Sequence, residues 1–577
     1  MKKTIVRRDT ADTGDALPGG LHPVLRRVYL SRLLRDAREL EYSLDGLHPY
    51  TKLKGIDAAA ELLAAAMQQQ KRILIVADFD ADGATSCAVA VRGLHLLGAQ
   101  DVRYVVPNRF AYGYGLTPEI VAVAAEQQPD LLITVDNGIS SNDGVAAARG
   151  RGMQVLITDH HLPGDVLPEA DAIVNPNQPG DEFPSKNLAG VGVIFYVLLA
   201  LRARLRDERW FARAGIAEPN LAQLLDLVAL GTVADVVPLD RNNRILVSQG
   251  LARIRAGRCC AGIRALLEAA GRNPRQTVAA DLGFAAAPRL NAAGRLEDMS
   301  LGIACLLSDD AVQARMMAAR LDQLNQERRA IETQMQEDAL AAIADLQIRE
   351  EDVALPVGVC LYQEHWHQGV IGILASRIKD RLHRPVIAFA QANDTELKGS
   401  ARSVSGVHIR DVLDAVAALH PGLLSKFGGH AMAAGLSLPK ENFAAFSAAF
   451  DEEVRRHLAP EDLRGVILSD GELASEHLNL DLAELLRAAG PWGQAFPEPV
   501  FDGSFEMVSR RVVGERHLKL VLAMPGQASM LDAIAFNADE RTLSLDAARV
   551  RIAYKLDVNE YRGQRSAQLL VEHIETA

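Results

Sequence analysis

The segment ILIVADFDADGAT, residues 73–85, gives the clearest indication of fold in this 577-residue chain. Its first five residues are apolar, as in a buried strand of a parallel sheet. Asp78, Asp80 and Asp82 then follow at alternate positions. Gly83 relaxes the backbone there, so the strand can turn directly into a helix. This order of strand, carboxylate cluster and helix predicts one unit of an α/β sheet.

Short apolar runs recur over residues 71–240, and most are separated by enough chain for a crossover helix. They are residues 73–76, 102–106, 131–135, 155–157 and 172–174. The pattern predicts an α/β fold with a doubly wound parallel sheet. In such sheets the ligand site lies beyond the carboxyl ends of the strands.

The rest of the chain shows three other patterns of residues. Residues 303–355 contain no Gly or Pro, which predicts a long connecting helix with room for one break, or a helical hairpin. The pattern of residues 351–457 predicts a smaller α/β lobe. Alternating runs over residues 500–576 predict a C-terminal OB-type β-barrel, with a β-sandwich as the alternative. We therefore divide the chain into a helical extension, a catalytic domain, a segment with the connecting helix, a second lobe and a barrel: residues 1–45, 46–265, 266–350, 351–457 and 458–577.

The composition, with 49% hydrophobic and 24% charged residues, is that of an ordinary globular protein. A net charge of −12 argues against nucleic acid, but phosphate binding needs only a local basic track, so charge does not decide the substrate. The longest apolar run, residues 188–201, is shorter than the ~20 residues of a membrane span, and no secretory signal is expected. Five cysteines without CxxC spacing indicate a reducing cytoplasm.

Three further acidic clusters change the interpretation of the first one. Asp136 follows residues 131–135, the Asp159–His160–His161 triplet follows residues 155–157, and Asp235 follows an apolar run. Alone, the first cluster is equally compatible with helix capping. The ends of parallel strands meet on one rim, where carboxylates and an imidazole favour Mn²⁺ or Mg²⁺ over zinc. Two such ions bridged by one carboxylate are suited to phosphodiester hydrolysis.

At these residues the chain resembles the DHH phosphoesterase superfamily. Asp80-x-Asp82, Asp136, Asp159-His160-His161 and Asp235 are similar to its four motifs. Further segments resemble a branch that degrades single-stranded DNA and the DHH-associated (DHHA1) substrate-binding module. They are residues 106–109, 113–116, 175–177, 288–295, 369–377, 399–402 and 428–435. The resemblance covers nearly the whole chain.

The resemblance implies two metal sites with a shared ligand. One ion is held by Asp78, Asp80 and Asp136, and the other by Asp82, Asp136, His160 and Asp235. His161 would then donate to the scissile phosphate, with Asp159 orienting a ligand. Many family members place a ligand His where this chain has Val76, so Asp78 is the available substitute.

The resemblance also implies the substrate and its contacts. The activity would be a 5′-to-3′ exonuclease on single-stranded DNA that releases mononucleotides in DNA repair and recombination. A monomer without membrane association, working with single-strand-binding protein and a helicase, is expected. Guanidinium groups suit phosphate oxygens, although surface ion pairs are the alternative for any one Arg. The candidate substrate-binding residues are Arg109, Arg289, Asn291, Arg295, Ser376, Arg377, Ser400, Arg402, Gly429 and His430.

The barrel supplies a second set of candidates. Basic side chains would follow the phosphates and aromatic rings would stack on bases. The basic candidates are Lys519, Lys555, Arg562 and Arg565, and the aromatic ones are Phe536, Tyr554 and Tyr561.

Three other functions stay open at this point. A small-substrate DHH enzyme is disfavoured by the length and the barrel. A non-catalytic scaffold is disfavoured because every motif carboxylate is present. A zinc hydrolase is disfavoured by the oxygen-rich ligand set.

Overall fold

The computed structural model describes residues 3–9, 17–107, 115–349, 356–459, 462–514 and 516–577. The chain forms two compact units. The larger consists of Arg8–Asn325 and Asp470–Ala577, and the smaller of Met1–Arg7 and Gln326–Ser469.

A five-stranded parallel sheet lies at the centre of the larger unit. Its strands, in spatial order, are Val102–Val105, Ile73–Ala77, Leu131–Val135, Gln154–Thr158 and Ala172–Val174. Alternate residues of one strand enter two different cores, because side chains alternate between the faces of a sheet. Ile73 and Ile75 belong to the main core, while Leu74 and Val76 pack on the opposite face. The predicted doubly wound sheet is confirmed.

Helices surround this sheet and continue into the segments beside it. The α-helices of the larger unit, apart from the long helix that leaves it, are Pro23–Leu30, Ile56–Gln68, Ala81–Leu97, Pro118–Ala125, Asn142–Arg149, Gly190–Asp207, Trp210–Ala214, Leu225–Ala234, Arg241–Arg255, Ala261–Ala269, Ala279–Asp281, Ala287–Leu296, Ser300–Leu307, Leu480–Ala488 and Glu540–Leu543. Leu282–Ala286 forms one turn of π-helix. None of the helices within the described ranges is long and apolar enough to cross a membrane.

The predicted C-terminal barrel is also confirmed, and it is closed. Its strands, in spatial order, are Phe501–Val513, His517–Ala523, Met530–Ala535, Gln564–Thr576 and Arg549–Tyr561. Leu518, Leu520 and Leu522 point inward along one strand. One pair of strands, Met530–Ala535 with Gln564–Thr576, is parallel and the others are antiparallel.

The smaller unit is the predicted second α/β lobe. Its sheet contains, in order, Lys426–Gly429, Ala433–Pro439, Glu396–Arg402, Val386–Gln391 and Val359–Tyr362. The helices beside it are Ile371–Leu382, Ile409–Leu419 and Phe443–Arg455. A separate parallel ribbon pairs Thr4–Arg7 with Val466–Ser469. The N-terminal extension, for which the sequence predicts helix, therefore begins with a strand.

The long helix is continuous over Ala311–Arg349, so the alternative of a helical hairpin is wrong. It is preceded by a break after Ser300–Leu307. Asp310 causes the new start, because its carboxylate accepts hydrogen bonds from the backbone N–H groups of Val312, at 2.7 Å, and Gln313, at 3.2 Å.

Candidate active site

The turn after strand Ile73–Ala77 is packed tightly against its surroundings. Asp80 caps helix Ala81–Leu97, with its Oδ1 accepting from the Gly83 N–H at 3.0 Å. A Cβ on Gly83 would lie 2.5 Å from the Asp78 carbonyl oxygen. A Cβ on Gly294 would lie 1.9 Å from the Phe79 carbonyl oxygen. Both glycines are therefore needed for the close approach that positions Asp78 and Asp80.

Asp82 is buried, and the sequence did not predict the backbone groups that hold its carboxylate. The backbone N–H groups of Gly190 and Val191, at the start of helix Gly190–Asp207, donate to its two oxygens at 2.6 and 3.0 Å. A helix N-terminus stabilises a carboxylate in this way. A Cβ on Gly231 would lie 2.8 Å from Asp82 Oδ1. The Ala-Gly-Val-Gly stretch at residues 189–192 was the available signal.

Asp136 ends strand Leu131–Val135 in a left-handed backbone conformation, with φ of 63°. That conformation is uncommon outside glycine and is often found at functional sites. A Cβ on Gly190 would lie 2.6 Å from Asp136 Oδ1, so the backbone of Gly190 packs directly against the Asp136 carboxylate. His160 Nε2 lies 3.1 Å from Asp136 Oδ1 and 3.5 Å from Asp235 Oδ2.

Asp159 is buried and fixes both histidines. Its carboxylate accepts from the His160 N–H at 2.7 Å and from the Ile139 N–H at 2.9 Å. The same carboxylate lies 2.7 Å from His161 Nδ1. The Asn177 amide adds a hydrogen bond to the His160 carbonyl at 2.6 Å. Asp159 thus acts on the site through the two imidazoles.

The side chains of the four clusters come together at one place. Three groups each have ligand atoms within 4.8 Å of one another: Asp78 with Asp80 and Asp136, Asp82 with His160 and Asp235, and Asp136 with His160 and His161. Asp136 and His160 each belong to two groups. The donors are carboxylate oxygens and imidazole nitrogens, a set that fits Mn²⁺ or Mg²⁺.

The electrostatics of this place favour a cation. Burial, together with the nearby Asp80 carboxylate, raises the pKa of Asp82 to about 7. Burial and the Asp82 carboxylate raise the pKa of Asp136 and of Asp235 well above their usual range. Burial alone would lower the pKa of His161, but the hydrogen bond to Asp159 raises it to about 9. Carboxylates that resist ionisation together are stabilised by a bound positive charge.

The substrate candidates of the larger unit lie on helix Ala287–Leu296. Arg289 is buried and its guanidinium lies 2.6 Å from Asp322. Asn291 Oδ1 accepts from the Ala81 N–H at 2.9 Å, so this amide holds the start of the helix after Asp80. Arg295 is half-buried on the same helix. Arg109 lies outside the described residues.

The candidates of the smaller unit lie on three neighbouring elements. Ser400 and Arg402 are on strand Glu396–Arg402, and the Arg402 guanidinium donates to Ser400 Oγ at 3.0 Å. Burial lowers the pKa of Arg402. A Cβ on Gly372 would lie 2.9 Å from Arg402 and 3.0 Å from Ser400. Ser376 and Arg377 lie on the helix that begins next to Gly372, and the Arg377 Nε lies 3.0 Å from Glu332.

The end of strand Lys426–Gly429, which pairs with the strand next to that of Arg402, requires a glycine. Gly429 has φ of 148°, and an added Cβ would lie 2.4 Å from the Ala433 carbonyl oxygen. His430 follows it with an exposed side chain, and its N–H donates to the Ala433 carbonyl at 2.8 Å.

The structure corrects one of the barrel predictions. Tyr554 cannot stack on a base, because it is 1% exposed and packs on Phe505 inside the barrel. A bulge at Ala553/Tyr554 interrupts the alternation of the strand, and both side chains are buried. Phe536 and Tyr561 are exposed, as stacking requires.

The basic barrel candidates have neighbours of their own. Three of them form ion pairs: Lys519 with Asp532 at 3.6 Å, Lys555 with Glu498 at 3.0 Å and Arg565 with Glu484 at 2.9 Å. Arg562 lies over the Tyr561 ring at 5.2 Å.

Comparison with known proteins matches three segments of the chain to domain families. Residues 72–232 match the DHH family, N-terminal domain, residues 354–456 match the DHHA1 domain, and residues 469–573 match the RecJ OB domain. The single-stranded-DNA-specific exonuclease RecJ of Dickeya dadantii is 58% identical over 569 residues, and that of Escherichia coli is 55% identical over 569 residues; each alignment covers 98% of both chains. The crystal structure of RecJ in complex with Mn²⁺ from Thermus thermophilus has a TM-score of 0.81 and 31% identity, covering all of this chain and 79% of the other.

Proposed function

Because the chain belongs to the RecJ family of DHH phosphoesterases, we propose that it is an exonuclease that hydrolyses single-stranded DNA from the 5′ end and releases mononucleotides. The observation that carries the proposal is the convergence of Asp78, Asp80, Asp82, Asp136, His160 and Asp235 at one place. Relatives named as single-stranded-DNA-specific exonucleases support the choice of substrate.

In this proposal the three donor groups hold two divalent cations, Mn²⁺ or Mg²⁺. Asp78, Asp80 and Asp136 hold the first, and Asp82, Asp136, His160 and Asp235 hold the second. When bound, such a pair supplies a nucleophilic water at neutral pH and neutralises charge on the reacting phosphate.

The side chains around the ligands prepare the site for the phosphate. The amides of Gly190 and Val191 hold Asp82 in one orientation. Asp159 holds His161 through Nδ1, which leaves Nε2 to face the substrate, and about a third of that side chain is exposed, at 32%. The hydrogen bond from Nδ1 to Asp159 raises the pKa of His161, which favours a ring that donates from Nε2 to a phosphate oxygen.

The other candidate residues are assigned to strand binding. Arg109, Arg289, Asn291 and Arg295 would act beside the metal centre. Ser376, Arg377, Ser400, Arg402, Gly429 and His430 would form a phosphate site on the second lobe, since Arg402 and Ser400 already share a hydrogen bond. The domain division at residues 46–265, 351–457 and 458–577 would separate catalysis, substrate binding and single-strand binding.

The cellular setting is part of the same proposal. The enzyme would act as a monomer in the cytoplasm, in DNA repair and recombination. It would receive its strand from a helicase and single-strand-binding protein. The five cysteines are all free thiols, which fits a reducing compartment.

The alternative of a small-substrate DHH enzyme is tested by substrate length. We would compare hydrolysis of a long 5′-phosphorylated single strand with hydrolysis of a dinucleotide, using Mn²⁺ in both reactions. The proposal expects the long strand to be degraded to mononucleotides at least as fast as the dinucleotide. Hydrolysis of the dinucleotide alone would refute it.

A further inference from the structure

A cavity of about 570 Å³ lies in the larger unit, at the far ends of two helices that carry or precede candidate metal ligands. Helix Ala81–Leu97 contains Asp82 in its first turn and lines the cavity with His95. At a rise of about 1.5 Å per residue, these two residues lie roughly 20 Å apart along the helix. Helix Leu225–Ala234 ends at Asp235 and lines the cavity with its first turn. The cavity is therefore separate from the metal centre.

Part of the cavity lining is apolar. Five aliphatic side chains contribute to it: Val91, Leu96, Leu224, Leu227 and Leu307. The volume is in the range of small-molecule sites, which combine apolar walls with a few polar groups that fix the ligand. A planar ring of the size of a nucleobase would bury apolar surface against these side chains.

Two arginines contribute to the polar part of the lining. Arg253 donates from Nη2 to the Arg258 carbonyl at 3.4 Å, so the two residues are neighbours. Across the part of the chain that the structure describes, neither guanidinium lies within ion-pair distance of a carboxylate. Arg253 Nε is also buried without a hydrogen-bond partner. Because a buried donor without a partner costs free energy, a bound anion would stabilise this arginine.

The two carboxylates of the lining are engaged with other groups. Asp309 forms an ion pair with Arg92 at 2.8 Å. Asp226 accepts a hydrogen bond from the Cys260 N–H at 2.7 Å. Burial raises the pKa of Asp226, although the hydrogen bond from Cys260 and the charge of Arg253 act in the opposite direction. The positive charge of the two arginines therefore exceeds the negative charge that the lining offers them.

A helix also begins at the cavity. Cys259 and Cys260 line it, and Cys260 is the N-cap of helix Ala261–Ala269, with its Sγ accepting from the Ile263 N–H at 3.5 Å. The N-terminus of a helix carries partial positive charge and favours phosphate groups. Two arginines and a helix N-terminus therefore lie together in the polar part of the cavity.

We propose that this cavity binds a nucleoside 5′-monophosphate, with the phosphate at Arg253, Arg258 and the start of helix Ala261–Ala269 and the base against the aliphatic side chains. The choice of ligand rests on the proposed function, which releases molecules of this class. A nucleotide matches both parts of the lining. Inorganic phosphate would leave the aliphatic part uncovered, and a nucleoside would leave the arginines without an anion.

The thiol of Cys259 provides a measure of occupancy that is independent of hydrolysis. It is free and half-buried at the cavity, so a bound nucleotide should shield it from iodoacetamide. The full chain would be alkylated in EDTA with increasing thymidine 5′-monophosphate, in mildly alkaline buffer because burial raises the pKa of Cys259. Trypsin releases residues 259–264, or 256–264 when Arg258 is replaced, and fragment spectra assign the label.

The nucleotide should slow alkylation of Cys259 at least about fivefold at saturation, because only the unoccupied chain reacts. Arg253→Gln and Arg258→Gln should each weaken the apparent affinity at least about tenfold, as expected for a lost hydrogen bond to a charged group. Arg258 is exposed, so its replacement leaves the core unchanged. Thymidine and inorganic phosphate should each protect at least about tenfold more weakly than the nucleotide.

Two control variants separate this site from other effects. Arg213→Gln changes an exposed arginine of the same unit, and Asp136→Asn changes the candidate metal centre; both should keep the protection of Cys259. No protection in the unsubstituted chain would overturn the inference. So would equal protection in Arg258→Gln and Arg213→Gln, loss of protection in Asp136→Asn, or equal protection by inorganic phosphate. If the nucleotide protects as expected but the chain hydrolyses no single strand with Mn²⁺, the proposed function fails and the binding site is retained.

Discussion

Asp136 shows most clearly what a single residue contributes. It takes part in two of the three donor groups and is held in a left-handed conformation against Gly190. We expect Asp136→Asn to lower Mn²⁺-dependent hydrolysis at least about 100-fold, because the bridging charge is lost. In EDTA the variant should unfold at the same or a higher temperature, because one of several like charges is removed and Asn tolerates this conformation. Retained hydrolysis would contradict the assignment.

Gly294 is a second residue whose role is steric. An added Cβ would meet the backbone of the turn that carries Asp78 and Asp80, at 1.9 Å. Gly294→Ala should therefore cost about 1–3 kcal/mol of unfolding free energy and reduce hydrolysis. Gly20→Ala is the matched control, because nothing lies within 4 Å of a Cβ there. Equal stability and activity of the two variants in denaturant titrations and digestion assays would show that the turn adapts.

The clustering of the candidate metal ligands could be predicted from the sequence because each cluster follows an apolar run. The hydrogen bonds that hold Asp82 could not be predicted, because they come from Gly190 and Val191, which lie more than a hundred positions away in the chain. Asn291, which the sequence predicts as a substrate residue, also holds the start of helix Ala81–Leu97, because its amide oxygen accepts from the Ala81 N–H. A residue type alone does not distinguish a ligand contact from a contact that holds a helix in place.

At the scale of elements, patterns of composition predicted whether a segment is a helix or a strand better than they predicted its first and last residues. The absence of Gly and Pro predicted the long helix, but its start depends on the Asp310 cap. The alternation in Arg549–Tyr561 predicted a strand, but the bulge that buries Tyr554 has no marker in that alternation. Strand Thr4–Arg7 was missed because its partner, Val466–Ser469, is distant in sequence.

The Asp310 cap gives a prediction for this helix. Asp310→Ala should make the first-turn amides of Val312 and Gln313 exchange their hydrogens about fivefold faster, which corresponds to a capping loss of about 1 kcal/mol. Hydrogen exchange followed by mass spectrometry would measure this. Asp310→Asn keeps an accepting oxygen and should retain the protection. If these two amides exchange at an unchanged rate in Asp310→Ala, then side-chain packing, and not the cap, fixes the start of the helix.

At the scale of the whole molecule, the net charge of −12 gave no indication of a nucleic-acid substrate. The structure explains why. Acidic residues are concentrated at the candidate metal centre, where bound cations would offset them, while Arg255 and Arg487 line a separate cavity of the larger unit. The distribution of charge over the fold therefore determines which substrate can bind, and the net charge does not.

The most direct test of the central claim is end-specific digestion of DNA. Single- and double-stranded oligonucleotides labelled at the 5′ end would be incubated with the chain in Mn²⁺, Mg²⁺ or EDTA, and the products resolved by length. We predict that the 5′ label is released at once as a mononucleotide from the single strand, with either metal and not in EDTA. The blunt duplex should remain intact. Release that persists in EDTA, begins at the 3′ end or proceeds equally on the duplex would contradict a metal-dependent, single-strand-specific 5′ exonuclease.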